Sequence, residues 1–168
     1  RYMTIGAGWG YGHTQASGIG QYASLSVGLF KRMGRTIQAG LSASYIERVG
    51  GEPGVYQDNI LPIALETRWL FSQSRTGRFS TYLGLSTGWN RVLNRNYFAR
   101  ETGEEVLVGD GLFVSPLLSF QANISSNAGF ILDGGYRYGS NVHRLAATDE
   151  VIDGSPTSHF FLRGNVFF

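Results

Sequence analysis

Residues 159–168 read His-Phe-Phe-Leu-Arg-Gly-Asn-Val-Phe-Phe, and this stretch decides the fold. Taken at every second position, Phe168, Val166, Leu162 and Phe160 are apolar, with Gly164 between them. The interleaved set, Phe167, Asn165, Arg163, Phe161 and His159, is mixed and carries a cation. Side chains of a strand alternate between two faces, so this pattern is a strand between two different environments.

Working back from that strand, the same period recurs. Residues 1–12 set Met3, Ile5, Ala7, Trp9 and Tyr11 against Thr4 and a row of glycines, Gly6, Gly8, Gly10 and Gly12. Glycine weakens an ordinary strand, so a row of it on one face predicts a crowded interior. Alternation continues over 21–30, 36–47, 60–71, 79–90, 112–124 and 129–139, which makes eight strands of about ten residues, the length a tilted membrane strand needs. The connections alternate. Residues 31–35, 72–78 and 125–128 are short turns; 13–20, 48–59, 91–111 and 140–158 are longer loops, with Gly50-Gly51 and Pro53-Gly54 as turn signals. Pro116 lies inside a strand and cannot donate to a ladder, so a bulge or local distortion is expected there.

Composition agrees. Charged residues are 15% of the chain, below the usual quarter, which leaves too few to coat an ordinary water-facing sheet. The absence of cysteine excludes a disulfide framework and thiolate metal sites. The net charge of +2 is too small to argue for nucleic acid. Near-neutral hydropathy is compatible with membrane strands, because only alternate residues face lipid. No signal peptide is visible, and the chain is expected to begin at or after a processing site.

The placing of aromatics separates a membrane barrel from a soluble one. On the apolar face, Trp9, Tyr11, Tyr45, Trp89, Tyr136 and Tyr138 lie near the long loops. Trp69, Phe71, Phe79, Phe130 and Phe168 lie near the short turns. Two aromatic girdles around an aliphatic band match the two interfaces of a bilayer. A soluble lipocalin-like barrel also alternates, and Gly6-Ala7-Gly8-Trp9 resembles a lipocalin opening. Its outward face, however, would need the lysine and glutamate that are scarce here. The fold class is therefore all-β: an eight-stranded antiparallel up-and-down transmembrane β-barrel occupying residues 1–168 as one domain.

With Tyr82-Leu83-Gly84-Leu85, Gly88-Trp89, 132–139 (Leu-Asp-Gly-Gly-Tyr-Arg-Tyr-Gly) and the Phe168 ending, the whole chain resembles the small bacterial outer-membrane barrels of the outer-membrane protein A and X type. The resemblance implies an integral outer-membrane location with periplasmic termini and short turns, and extracellular long loops. It implies that Phe168, Val166, Leu162 and Phe160 are read by the barrel assembly machinery. Outer-membrane lipids and lipopolysaccharide are the implied surroundings, and a larger outer-membrane protein is a conceivable partner. The fold hosts many functions, so function must be argued from sites.

Five charges belong to the inward set: Glu66, Arg68, Asp133, Arg137 and Arg163. An eight-stranded barrel is only wide enough for side chains to fill it, so they are expected to meet in the lumen, as a charge-paired plug rather than an ion path. No cofactor or metal is expected, since His13, His143 and His159 lack ligand spacing. Lipid A deacylases carry His-x-Ser-Asn-Ala-Gly; residues 124–129 read Ile-Ser-Ser-Asn-Ala-Gly, and without the histidine the serine lacks a base. His143 and His159 are expected to be solvated loop residues. The reading is a non-enzymatic anchor or scaffold, with a lipid A-modifying enzyme and a narrow pore as alternatives. The short turns carry Lys31, Arg32, Arg35, Arg75 and Arg78 and no acid, whereas the long loops are acidic.

Overall fold

The computed structural model describes residues 1–14, 18–51, 56–96, 106–145 and 151–168. Its strands in chain order are β1 (Tyr2–Thr14), β2 (Gly18–Met33), β3 (Ile37–Gly51), β4 (Tyr56–Gln73), β5 (Phe79–Asn96), β6 (Val106–Asn123), β7 (Gly129–Leu145) and β8 (Val151–Phe167). Each pairs antiparallel with the next, and β1 pairs with β8, so the sheet closes and no strand edge is left open. The expected architecture is the observed one.

The strands are longer than ten residues: 13 in β1 and 18 in β4, β5 and β6. Most of the addition lies at the long-loop end, in segments whose polarity reads as loop. Val92 pairs with Ile60 and Leu93 with Val108, and β8 begins at Val151 rather than at His159. Backbone pairing is indifferent to what the side chains face, so a ladder continues past the apolar band into a polar rim. Val55, Tyr97 and Phe98 lie outside the described residues. At the other end two tight turns hold glycine at positive φ, Gly34 at 76° and Gly77 at 69°, a conformation that side chains disfavour.

Pro116 does not make a bulge. It pairs with Leu85 on β5, while toward β7 the pairing passes from Val114↔Tyr138 to Leu117↔Gly135 with the register unchanged. Pro62 has the same effect: it pairs with Asn90 on β5, and toward β3 the pairing passes from Ala43↔Ile63 to Ile46↔Ile60. A strand residue aims its N–H at one neighbour only, so a missing donor interrupts one ladder and spares the other. The register shifts fall elsewhere, at Gln21/Tyr22, Leu70/Ser72 and His143/Arg144.

The outer wall is apolar. Leu25, Leu29, Leu41, Ile63, Leu65, Leu83, Leu132 and Leu162 are all exposed. Trp9, Tyr11, Tyr45, Trp89 and Tyr138 are exposed outside near the long-loop end, and Tyr136 is half-buried against Phe160, with ring centroids 4.8 Å apart. Trp69, Phe71, Phe79, Phe130 and Phe168 are exposed near the short turns. So large an apolar surface is stable only where hydrocarbon covers it. The inner wall mixes polar and charged side chains with apolar clusters and is tightly filled. A Cβ on Gly6 would lie 2.2 Å from Asn165 Oδ1 and 2.4 Å from the Gly164 carbonyl oxygen, which is why that face of β1 carries glycine.

Candidate functional site

The chemistry of this barrel is concentrated in its lumen. At the short-turn end Tyr2, Phe30, Ile131 and Phe167 form a buried apolar floor, with Tyr2 stacked on Phe30 at 5.5 Å. Toward the long loops a second apolar cluster, Tyr22, Ile46 and Ile60, lines the lumen along β2, β3 and β4. Between them lies a charged layer.

Four of the five expected charges meet in that layer. Arg68 Nε donates to Glu66 Oε1 at 2.9 Å, and the two side chains are ion-paired. They sit two residues apart on the same face of β4. Arg68 Nη2 also reaches Asp133 Oδ2 at 3.1 Å, spanning from β4 to β7. Arg163 on β8 donates to Asp133 Oδ2 at 2.7 Å and to Glu66 Oε2 at 3.2 Å. Each carboxylate thus contacts both guanidiniums. Glu66, Arg68 and Asp133 are at most 1% exposed, so these ions exchanged hydration for one another. Arg68 also lies over the Phe30 ring, 4.7 Å from its centroid, tying the charged layer to the floor.

Arg137 does not join. It is buried on β7, nearer the long loops, where Nε donates to Ser115 Oγ at 3.3 Å. Its guanidinium lies over the Phe113 ring at 4.5 Å, and Nη1 has no hydrogen-bond partner among the described residues. Parity put Arg137 inside correctly, but four residues along a strand is a rise of roughly 13 Å, beyond the reach of the carboxylates.

The sequence reading did not single out the neutral residues that hold the Asp133 carboxylate. Ser119 Oγ donates to Asp133 Oδ1 at 2.6 Å and Asn165 Nδ2 donates to Asp133 Oδ2 at 2.9 Å. Both have inward parity beside a charged position on the neighbouring strand: Ser119 and Arg163 each pair with Asp133 in the register, and Asn165 follows Arg163 by two. That adjacency is the signal that could have found them. His159 is no solvated loop residue. It lies on β8, 5% exposed, its ring 5.8 Å from that of Tyr22. The side chains of His13 and His143 lie outside the described residues.

In the deacylase-like hexapeptide the serine that matches the motif is Ser126, exposed in the β6–β7 turn, with Ile124 where the motif has its histidine. The preceding Ser125 closes the turn: its Oγ accepts from the backbone N–H of Asn127 at 3.3 Å and of Ala128 at 3.1 Å. Among the described residues, no group of three or more His, Cys, Asp or Glu side chains could hold a metal ion. On the outer wall a recess of about 690 Å³ is bordered by Phe79, Phe120, Phe130, Leu132 and Val166.

Comparison with solved structures places this architecture. Neisserial surface protein A is similar over 99% of this chain and 94% of its own, with a TM-score of 0.69 and 16% identity. The outer membrane protein OprG from Pseudomonas aeruginosa is similar over 99% and 95%, with a TM-score of 0.59 and 11% identity. At such identities the likeness is one of fold. No protein-family model matches the sequence, and no curated protein sequence matches it.

Proposed function

We propose that this chain, a small barrel of the outer-membrane type, is a non-conducting membrane anchor whose work is done by what it presents beyond the bilayer. One observation carries the reading: the lumen is crossed by the Glu66–Arg68–Asp133–Arg163 network. The apolar clusters on either side support it. A continuous ion path needs water along the axis, and at this strand number packed side chains take that space.

Strands that continue past the apolar band form a rigid stem for the long loops, which suits a scaffold or an accessory subunit beside a larger outer-membrane protein. In this reading the basic short turns and both termini face the periplasm, and the acidic loops face outward. Lipopolysaccharide and phospholipid surround the wall, and the recess beside Phe120 and Phe130 suits an acyl chain. Phe160, Leu162, Val166 and Phe168 all point outward, the face that assembly machinery would read during insertion. The enzyme reading gains no support from Ser126, the serine that matches the deacylase motif, because isoleucine stands at position 124 where that motif has its histidine base.

Two measurements test this together. In planar bilayers the purified protein should produce no steady current. Cross-linking in native membranes followed by mass spectrometry should recover a recurrent outer-membrane partner attached through residues of the long-loop end. A steady, ion-selective current that is lost on replacing Arg68 would sink the reading in favour of a pore. Altered lipid A in cells producing the protein would favour an enzyme.

A further inference from the structure

The short-turn mouth of the barrel contains a feature that the plug does not use. Among the depressions that open there, two, of about 310 and 280 Å³, are lined by both Arg32 and Asn123. The first adds Arg78, Ser125 and Ser126, and the second adds Arg35. All three arginines are exposed, and no Asp or Glu occurs in the short turns or the strand ends beside them. A cluster of like charges opposes folding unless something offsets it.

The neutral groups at this mouth are arranged as donors. Gln38 Nε2 donates to Gln121 Oε1 at 3.1 Å, and Gln121 Nε2 donates to Asn123 Oδ1 at 2.7 Å. Asn123 Nδ2 donates to the Gly77 carbonyl at 2.8 Å. The Asn123 amide is thereby fixed in orientation, and its second N–H is unused among the described residues. Ser125 Oγ uses its lone pairs on two backbone N–H groups, so its own hydrogen points elsewhere. Arg32 is braced over the Tyr2 ring, 5.9 Å from the centroid.

We propose that this mouth is a binding site for a phosphate group, held by Arg32 and Arg78 with Asn123 and Ser125, and with Arg35 at the adjoining depression. Guanidinium forks match the oxygen spacing of phosphate, and a tetrahedral anion can engage several donors at once. A carboxylate would be satisfied by one arginine and leave the others unused. The phosphate comes either from a soluble phosphorylated molecule or from a lipid headgroup reaching over the rim. The site stands whichever side of the membrane the turns face.

The test uses the whole barrel in phosphatidylcholine nanodiscs, titrated with inorganic pyrophosphate and followed by NMR of arginine Nε–H groups. Saturable shifts are expected at Arg32 and Arg78, with none at Arg75, which is exposed nearby but borders neither depression. Arg32→Gln should weaken binding about tenfold or more, the loss expected for a charge-assisted pair. Arg75→Gln, which removes the same charge, should leave affinity unchanged. Arg78→Gln serves if Arg32→Gln does not give the heat-modifiable gel mobility of a folded barrel. Adding phosphatidylglycerol identifies the source: competition with pyrophosphate means a lipid headgroup, and no competition means a soluble phosphate, each consistent with the site. Equal losses for Arg32→Gln and Arg75→Gln, or a response that never saturates, would overturn it by reducing the mouth to a diffuse positive field.

Discussion

Arg68 on β4 donates to Asp133 on β7 at 3.1 Å, joining two walls that are three strands apart around the barrel. With Arg163 contacting both Asp133 and Glu66, this makes the charged layer a cross-brace as well as a plug. Its parts depend on one another, because removing any ion leaves its partners buried and uncompensated.

Glu66→Ala should therefore destabilise the barrel by about 3–5 kcal/mol, the cost of leaving buried charges unpaired. Lys31→Ala, at an exposed position, should change stability by less than about 0.5 kcal/mol. Urea titrations of folding into lipid vesicles measure both. The same Glu66 variant should admit water and give small, irregular conductance where the parent protein is silent.

Arg137 should behave unlike Arg68, although both are buried cations. Arg137 faces two aromatic rings, and its Nη1 has no hydrogen-bond partner among the described residues. Arg137→Met should fall within about 1 kcal/mol of the parent, since an unsatisfied polar group is lost along with the favourable ring contacts. Arg68→Met should cost several times as much. Equal losses in the vesicle titration would mean that an anion accompanies Arg137 in the lumen.

The outer wall makes a third contrast. Leu83 is half exposed in mid-strand, and Leu83→Arg should cost about 2–4 kcal/mol, the cost of a cation near the bilayer midplane. Ser86, buried on the opposite face, fails for another reason: Ser86→Arg overfills the lumen next to Glu66, with which it pairs. Thinner bilayers should relieve the Leu83 variant and leave the Ser86 variant unrelieved. No effect from Leu83→Arg would refute the assignment of faces.

Glycines on the two faces should respond oppositely to alanine. At Gly6 a Cβ meets Asn165 and the backbone of Gly164 well inside contact distance, so Gly6→Ala should destabilise by about 1–3 kcal/mol. At Gly134, on the outer wall, the nearest atom is Leu162 Cδ1 at 3.7 Å. Gly134→Ala should stabilise by about 0.5–1 kcal/mol by restricting the unfolded chain. Thermal melts in one detergent suffice to show the difference in sign.

Period-two alternation is a local property, and nearly everything that depends on it was legible in the chain. Parity alone put Glu66, Arg68, Asp133, Arg137 and Arg163 inside and Leu83, Trp89 and Phe130 outside. Turn signals and the alternating lengths of the connections led to a closed barrel of even strand number. Height along a strand could be read for the aromatics, because the two bilayer interfaces sort them chemically. What could not be read is whatever depends on pairing between strands. Val92 and Val108 look like loop residues until their partners across the ladder are known. Pro62 and Pro116 each interrupt one ladder, and the side depends on which neighbour the missing N–H would have faced. The membership of the charged layer is the clearest case. Arg68 reaches Asp133 from 65 positions away while Arg137, only four from Asp133, does not. Parity says which face a residue is on; closure, tilt and stagger of the strands set the depth at which it meets residues from the other walls, and those are properties of the whole sheet.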